Sequence, residues 1–214
     1  MKVHLLKKCQ PICYNLERWD TNHLPLLLIT GLSGSGKTTF AQEFAKHHHA
    51  ICVSFDVLKF YPESSEQSRA MLDLFLRKYP KIKKNISIQW TKTDNANSND
   101  ILFNYYCNLF FDFLVEYSIQ SKEKIVLEGI QLFVRLHPSR SVQLPIIIIR
   151  NSSFHSFCNK IKRDYYSKKI LSDKDLHLLK NIINDIYIYY IKQRRILNTY
   201  IKYLSILNKN VAGG

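Results

Sequence analysis

Eight residues constrain this chain more than any other feature: Gly31-Leu32-Ser33-Gly34-Ser35-Gly36-Lys37-Thr38, directly behind the apolar run Leu26-Leu27-Leu28-Ile29-Thr30. They fit the spacing G-x-x-x-x-G-K-[ST] at every position. A continuous apolar run ending in glycine reads as a strand buried on both faces. Over residues 36–46, Phe40, Ala41, Phe44 and Ala45 recur at helical spacing. Glycines between such a strand and helix let the backbone curl so that successive N–H groups point inward. The helix behind adds its positive end, and the two together suit a phosphate chain. Gly31, Ser33, Gly34, Ser35, Gly36, Lys37, Thr38 and Thr39 are therefore expected to bind ATP. Lys37 would reach the β- and γ-phosphates, and the Thr38 hydroxyl would ligate Mg²⁺.

The rest of the chain alternates strands with helices. Residues 50–55 read as a short strand, and 125–127 and 145–149 as buried ones. Ser64 and Ser65 can cap a helix carrying Met71, Leu74 and Phe75, with Pro80 past its end. Asp100 can cap another, with Leu102, Tyr106, Leu109, Phe113 and Tyr117 on one side. A helix from Ser153 and a long one over residues 173–200 follow, the latter with Leu176, Leu179, Ile183, Ile186 and Tyr190 inward. This order predicts a three-layer α/β fold, a parallel sheet with helices on both faces. Its 214 residues suffice for one domain without staples, set at 25–214, with residues 1–24 as an arm.

Composition removes several classes. A hydrophobic share of 46% excludes a disordered chain, and no apolar run is long enough for a membrane span. No secretory signal is visible. Five scattered cysteines, Cys9 and Cys13 forming a lone CxxxC, read as free thiols in a reducing cytoplasm. The net charge is +14, but Lys, Ile, Asn and Tyr make up 74 of 214 residues, so AT-rich codons can inflate lysine without selection for a polyanion. Residues 150–214 nevertheless hold 13 basic against 4 acidic side chains, the larger part of the excess. Lys174, Lys180, Lys192 and Lys202 are spaced so that no single helix face collects them, which disfavours a nucleic-acid track.

With the Walker A loop in hand, three segments resemble the P-loop kinases of small molecules and nucleotides. The likeness is nearest the uridine kinase and phosphoribulokinase branch, with zeta-toxins and 5′-hydroxyl polynucleotide kinases as relatives. The segments are residues 31–39, Val53-Ser54-Phe55-Asp56, and Leu127-Glu128-Gly129 followed later by Ile161-Lys162-Arg163-Asp164. The resemblance implies a P-loop NTPase fold with a helical lid near residues 151–170. It implies transfer of the ATP γ-phosphate to a hydroxyl of a nucleoside, nucleotide or sugar-like molecule. Polynucleotide or nucleotide-sugar kinases and a regulatory ATPase are the alternatives. The chain departs from uridine kinases at Tyr165-Tyr166-Ser167-Lys168-Lys169, where those enzymes usually have Arg-Gly.

Within that frame Asp56, at the edge of the sheet beside the loop, is the expected general base for the acceptor hydroxyl. Glu128, ending an apolar strand, would hold Mg²⁺ with Thr38. On the lid helix, Phe154, Phe157, Ile161 and Tyr165 form the apolar face, which leaves Arg163 and Lys160 together on the exposed side to meet phosphate. Arg150 is a further candidate. Trp90, Thr91 and Lys92 are candidates for the acceptor pocket. His47-His48-His49 point about 100° apart and make a poor chelate. Gly213-Gly214 read as a frayed end.

Overall fold

The computed structural model of the protein describes residues 11–20, 25–82, 100–140, 143–151, 156, 158–160 and 191–212. Among the described residues five strands form one sheet: β1 Ile12–Tyr14, β2 Leu26–Gly31, β3 Ile51–Ser54, β4 Ile125–Glu128 and β5 Ile146–Ile149. Their order is β1-β5-β2-β4-β3, which puts β2 at the centre. The helices are α1 Glu17–Asp20, α2 Lys37–His47, α3 Glu66–Lys78, α4 Asp100–Ser121, α5 Gln131–Val134 and α6 Gln193–Ala212.

All six residues of β2 are buried, as a strand covered on both faces must be. Alternation of side chains divides them between two cores. Leu27 and Ile29 face α2, where Trp19, Phe40, Ala41 and Ala45 complete a small cluster. Leu26 and Leu28 face the larger, aromatic cluster built from α3, α4, α5 and α6. There Phe75 meets the edges of Phe110 and Phe113 at centroid distances of 5.2 and 5.6 Å. The helix starts behave as local chemistry requires. The Ser65 hydroxyl accepts from the Ser68 amide and caps α3.

β5, β2, β4 and β3 run parallel, but β1 pairs antiparallel with β5, Tyr14 opposite Ile146. The sheet is therefore mixed where a parallel one was expected. An edge strand has only to satisfy the outer N–H and C=O groups of its neighbour, and either direction does so. Three residues carry too little pattern to reveal the direction. The same pairing brings residues 11–20, assigned above to an arm, into the domain. Trp19 is 1% exposed and donates its Nε1–H to the Pro25 carbonyl at 3.4 Å, while the Tyr14 hydroxyl shares a 2.9 Å hydrogen bond with Ser205 on α6.

Two helix readings shift. Ile101 and Leu102 are exposed, so the first turn of α4 lies outside the core that Tyr106, Phe110, Phe113 and Leu114 enter. α6 continues to Ala212, past the expected end at Tyr200, with Leu197, Tyr200 and Leu204 buried. The inward residues proposed over 176–190 lie outside the described residues. Among the described residues no helix is long and apolar enough to cross a membrane. Cys13, Cys52, Cys107 and Cys158 are free thiols, and Cys9 lies outside the described residues.

Candidate functional site

The carboxyl ends of β2, β3 and β4 lie side by side, and the polar residues gather there. β2 runs into the glycine loop, and α2 begins at Lys37 with Gly36 as its N-cap. Glycine offers no side-chain acceptor, and the first turn of α2 contains no acidic residue. The leading N–H groups of the helix are thus left without a side-chain cap, which is the arrangement that attracts an anion. Lys37 is buried at 7% exposure, whereas Thr38 and Thr39 are exposed.

Several contacts hold the loop. The Ser35 amide donates to the Leu32 carbonyl at 3.1 Å, and Gln193 on α6 accepts from the Ser33 amide at 3.5 Å. Asn151 donates to the Ser35 carbonyl at 3.5 Å and Asn159 to the Gly34 carbonyl at 3.3 Å. The helical residues 158–160 lie directly over Gly34. Gly34 has φ +78°, and a Cβ there would run into the Ser156 carbonyl and come within 3.1 Å of the Lys160 amide. The Ser35 and Ser156 hydroxyls are both buried with no hydrogen-bond partner among the described residues. Buried hydroxyls normally find one.

Lys160 was expected on the exposed side of a lid. It is 6% exposed, because the segment carrying it packs against the loop. Arg150 is exposed after β5. Arg163, Lys168, Lys169, Trp90, Thr91, Lys92, Gly213 and Gly214 all lie outside the described residues.

Glu128 closes β4 and is 1% exposed. The Thr38 hydroxyl donates to its Oε2 at 3.2 Å. Burial pushes the Glu128 carboxyl above the usual carboxylate range; the Lys37 charge opposes this most, helped by hydrogen bonds from Ser54 and Thr38, while Asp56 adds to the upward push. A carboxylate so placed gains from any further positive charge. Its neighbour Gly129 matters through space, not chemistry. A Cβ at Gly129 would lie 2.6 Å from Gln131 Oε1 and 2.9 Å from the Phe55 Cβ.

Asp56 stands two residues beyond the end of β3, in the 3₁₀ turn Phe55–Leu58. The Ser54 hydroxyl accepts from its amide at 3.3 Å, and the Ser54 amide in turn donates to Ser68 on α3. The carboxylate is exposed to solvent and accepts from Gln131 Nε2 at 2.8 Å. Gln131, Ser68, Asn151, Asn159 and Gln193 are not marked by the sequence. None carries a motif, and each meets its partner only through the fold.

Burial pushes Cys52 and Cys107 each up to about 12, with Glu128 adding to the shift at Cys52. Of the three histidines, His48 stacks on Phe44 at 4.3 Å and meets the edge of Trp19 at 5.0 Å. Among the described residues no three His, Cys, Asp or Glu side chains form a metal cage. No protein-family model and no curated protein sequence matches the chain.

Proposed function

We propose that the protein is an ATP- and Mg²⁺-dependent phosphotransferase of the P-loop kinase kind. It would move the γ-phosphoryl group of ATP to a hydroxyl of a nucleoside, nucleotide or sugar-like small molecule. One observation carries this reading: three chain segments meet at a single sheet edge. They are the glycine loop with buried Lys37, Glu128 bonded to Thr38, and the exposed carboxylate of Asp56. A nucleotide-binding switch needs the first two and has no use for the third.

The donor set suits Mg²⁺. Thr38 Oγ1 and Glu128 Oε2 are hard oxygen ligands 3.2 Å apart, and phosphate oxygens with water would fill the remaining positions. When bound, the ion would neutralise charge on the β- and γ-phosphates. The uncapped start of α2 and the Lys37 ammonium would hold the same oxygens, so that positive charge is already in place when the transition state forms. Asp56 would orient the acceptor hydroxyl and take its proton as the oxygen bonds to phosphorus. The bond from phosphorus to the ADP oxygen breaks in the same displacement. Lys160, close over the loop, is a further candidate for phosphate contact, and Arg163 remains one from the sequence alone.

The test is to incubate the protein with γ-labelled ATP, Mg²⁺ and separate pools of nucleosides, nucleotides, sugars and RNA. Label is expected in one small-molecule pool. Label in RNA would give first place to a polynucleotide kinase. ATP binding or hydrolysis with no label in any pool would sink the kinase reading in favour of a switch.

A further inference from the structure

We infer that Gln131 is a positioning residue for Asp56, fixing its carboxylate for proton transfer; this rests on the phosphotransferase reading above. Asp56 is exposed and sits on a short turn, where a carboxylate would otherwise sample several rotamers. Gln131, the first residue of α5, is 7% exposed and donates through Nε2 to Asp56 Oδ1 at 2.8 Å, across 75 residues of sequence.

The other end of the same amide makes the case. Gln131 Oε1 is buried and has no hydrogen-bond partner among the described residues. Exchanging the amide oxygen and nitrogen would not help, because an oxygen would then face a carboxylate oxygen at 2.8 Å. The orientation is fixed by Asp56, and the carbonyl is stranded against Gly129, where only a residue without Cβ leaves it room. A stranded buried acceptor destabilises a fold, and an aliphatic side chain of the same size would not carry that cost. The polar end of Gln131 therefore serves Asp56, not packing.

The experiment compares wild type, Gln131→Met, Asp56→Asn and the double variant, measuring thermal midpoint, KM for ATP and kcat for label transfer. Gln131→Met keeps the volume and removes both amide groups. Its thermal midpoint is expected to hold or rise, its KM for ATP to stay within about twofold, and its kcat to fall about tenfold, part of what a positioned base supplies. The double variant is expected to be no slower than Asp56→Asn alone, since the amide acts only through that carboxylate. A drop in thermal midpoint would make Gln131 a packing residue and overturn the inference. Full kcat in Gln131→Met, or losses that multiply in the double variant, would do the same while leaving the kinase reading intact. No transfer by the wild type, or none that depends on Asp56, would overturn the kinase reading and this inference together.

Discussion

The two halves of the sheet edge are built from different materials. The half that the proposed function assigns to the phosphates is local: one strand end, five loop residues and the first turn of α2, with backbone N–H groups as its main donors. The half assigned by the same proposal to the acceptor is assembled from afar. Asp56 follows β3, its partner Gln131 opens α5, and Ser54 and Ser68 fix the turn between β3 and α3. Backbone-built sites tolerate changes of side chain and fail at one or two indispensable groups. In side-chain networks the members are coupled, so the losses from removing them do not simply add. Glu128 belongs to both halves, bonded to Thr38 on one side and feeling Asp56 on the other.

Lys37→Ala should break the first half outright. Removing the buried ammonium is expected to lower transfer by about 10³-fold, the upper range for one preorganised charge at a transition state. Circular dichroism and the thermal midpoint should show the fold intact, because the loop backbone is untouched. A folded Lys37→Ala protein with wild-type turnover would remove the loop from the chemistry.

The acceptor half should answer more mildly. Asp56→Asn keeps shape and the hydrogen-bonding side chain while removing the proposed base, with an expected loss of roughly 10²-fold in kcat. ATP affinity, measured by calorimetry, should not move. Equal losses in ATP binding and in kcat would make Asp56 part of the phosphate half and dissolve the distinction between the two.

The same division decides what could be read from the sequence. The glycine loop is legible because its spacing is a backbone requirement, written in consecutive residues. The parallel strands are legible because β2, β4 and β5 are continuous apolar runs. Asp56 and Glu128 are found by their place at the ends of such runs. Gln131 is not, since nothing in Ile130-Gln131-Leu132 marks a side chain that crosses to another turn. The short strand β1 is missed for a related reason: Ile12-Cys13-Tyr14 becomes a strand only because β5 offers it an open edge. Lys160 was put on the wrong side because a helical wheel supplies an apolar face but not the neighbour that covers the opposite one.

Glu128 offers a smaller and subtler test. Because burial raises its folded-state pKa, the folded protein holds that proton more tightly than the unfolded chain does. The stability this contributes is complete below the ordinary value of 4.5 and is lost as pH rises through the raised one. Glu128→Gln does not titrate. Without nucleotide, its thermal midpoint relative to wild type should therefore climb from pH 4.5 toward neutrality, by a few degrees at most. Saturating Mg²⁺ and ATP should cancel or reverse the gain, because they bind the wild-type carboxylate form. A difference between the two proteins that is the same at every pH, with and without ligand, would detach Glu128 from both halves of the site.

The smallest expected effect concerns the basic C-terminal third, where a polynucleotide acceptor would have to be held. Lys174 and Lys180 lie outside the described residues, so α6 carries what can be weighed. Its exposed cations include Lys202 and, seven residues earlier, Arg195. Seven residues bring a side chain back to nearly the same face, so these two do align, which the lysine spacing alone had hidden. They are, however, about 10 Å apart along the helix, too sparse to track successive phosphates closely. Affinity for RNA should therefore be weak, with a slope of log K against log salt of about two or less, since each neutralised phosphate on a single strand contributes roughly 0.7. Fluorescence anisotropy with a labelled oligonucleotide at several salt concentrations measures this directly. Sub-micromolar binding at physiological salt with a slope of several units would mean that the acceptor half extends onto α6. The small-molecule acceptor would then give way to the end of a nucleic-acid strand.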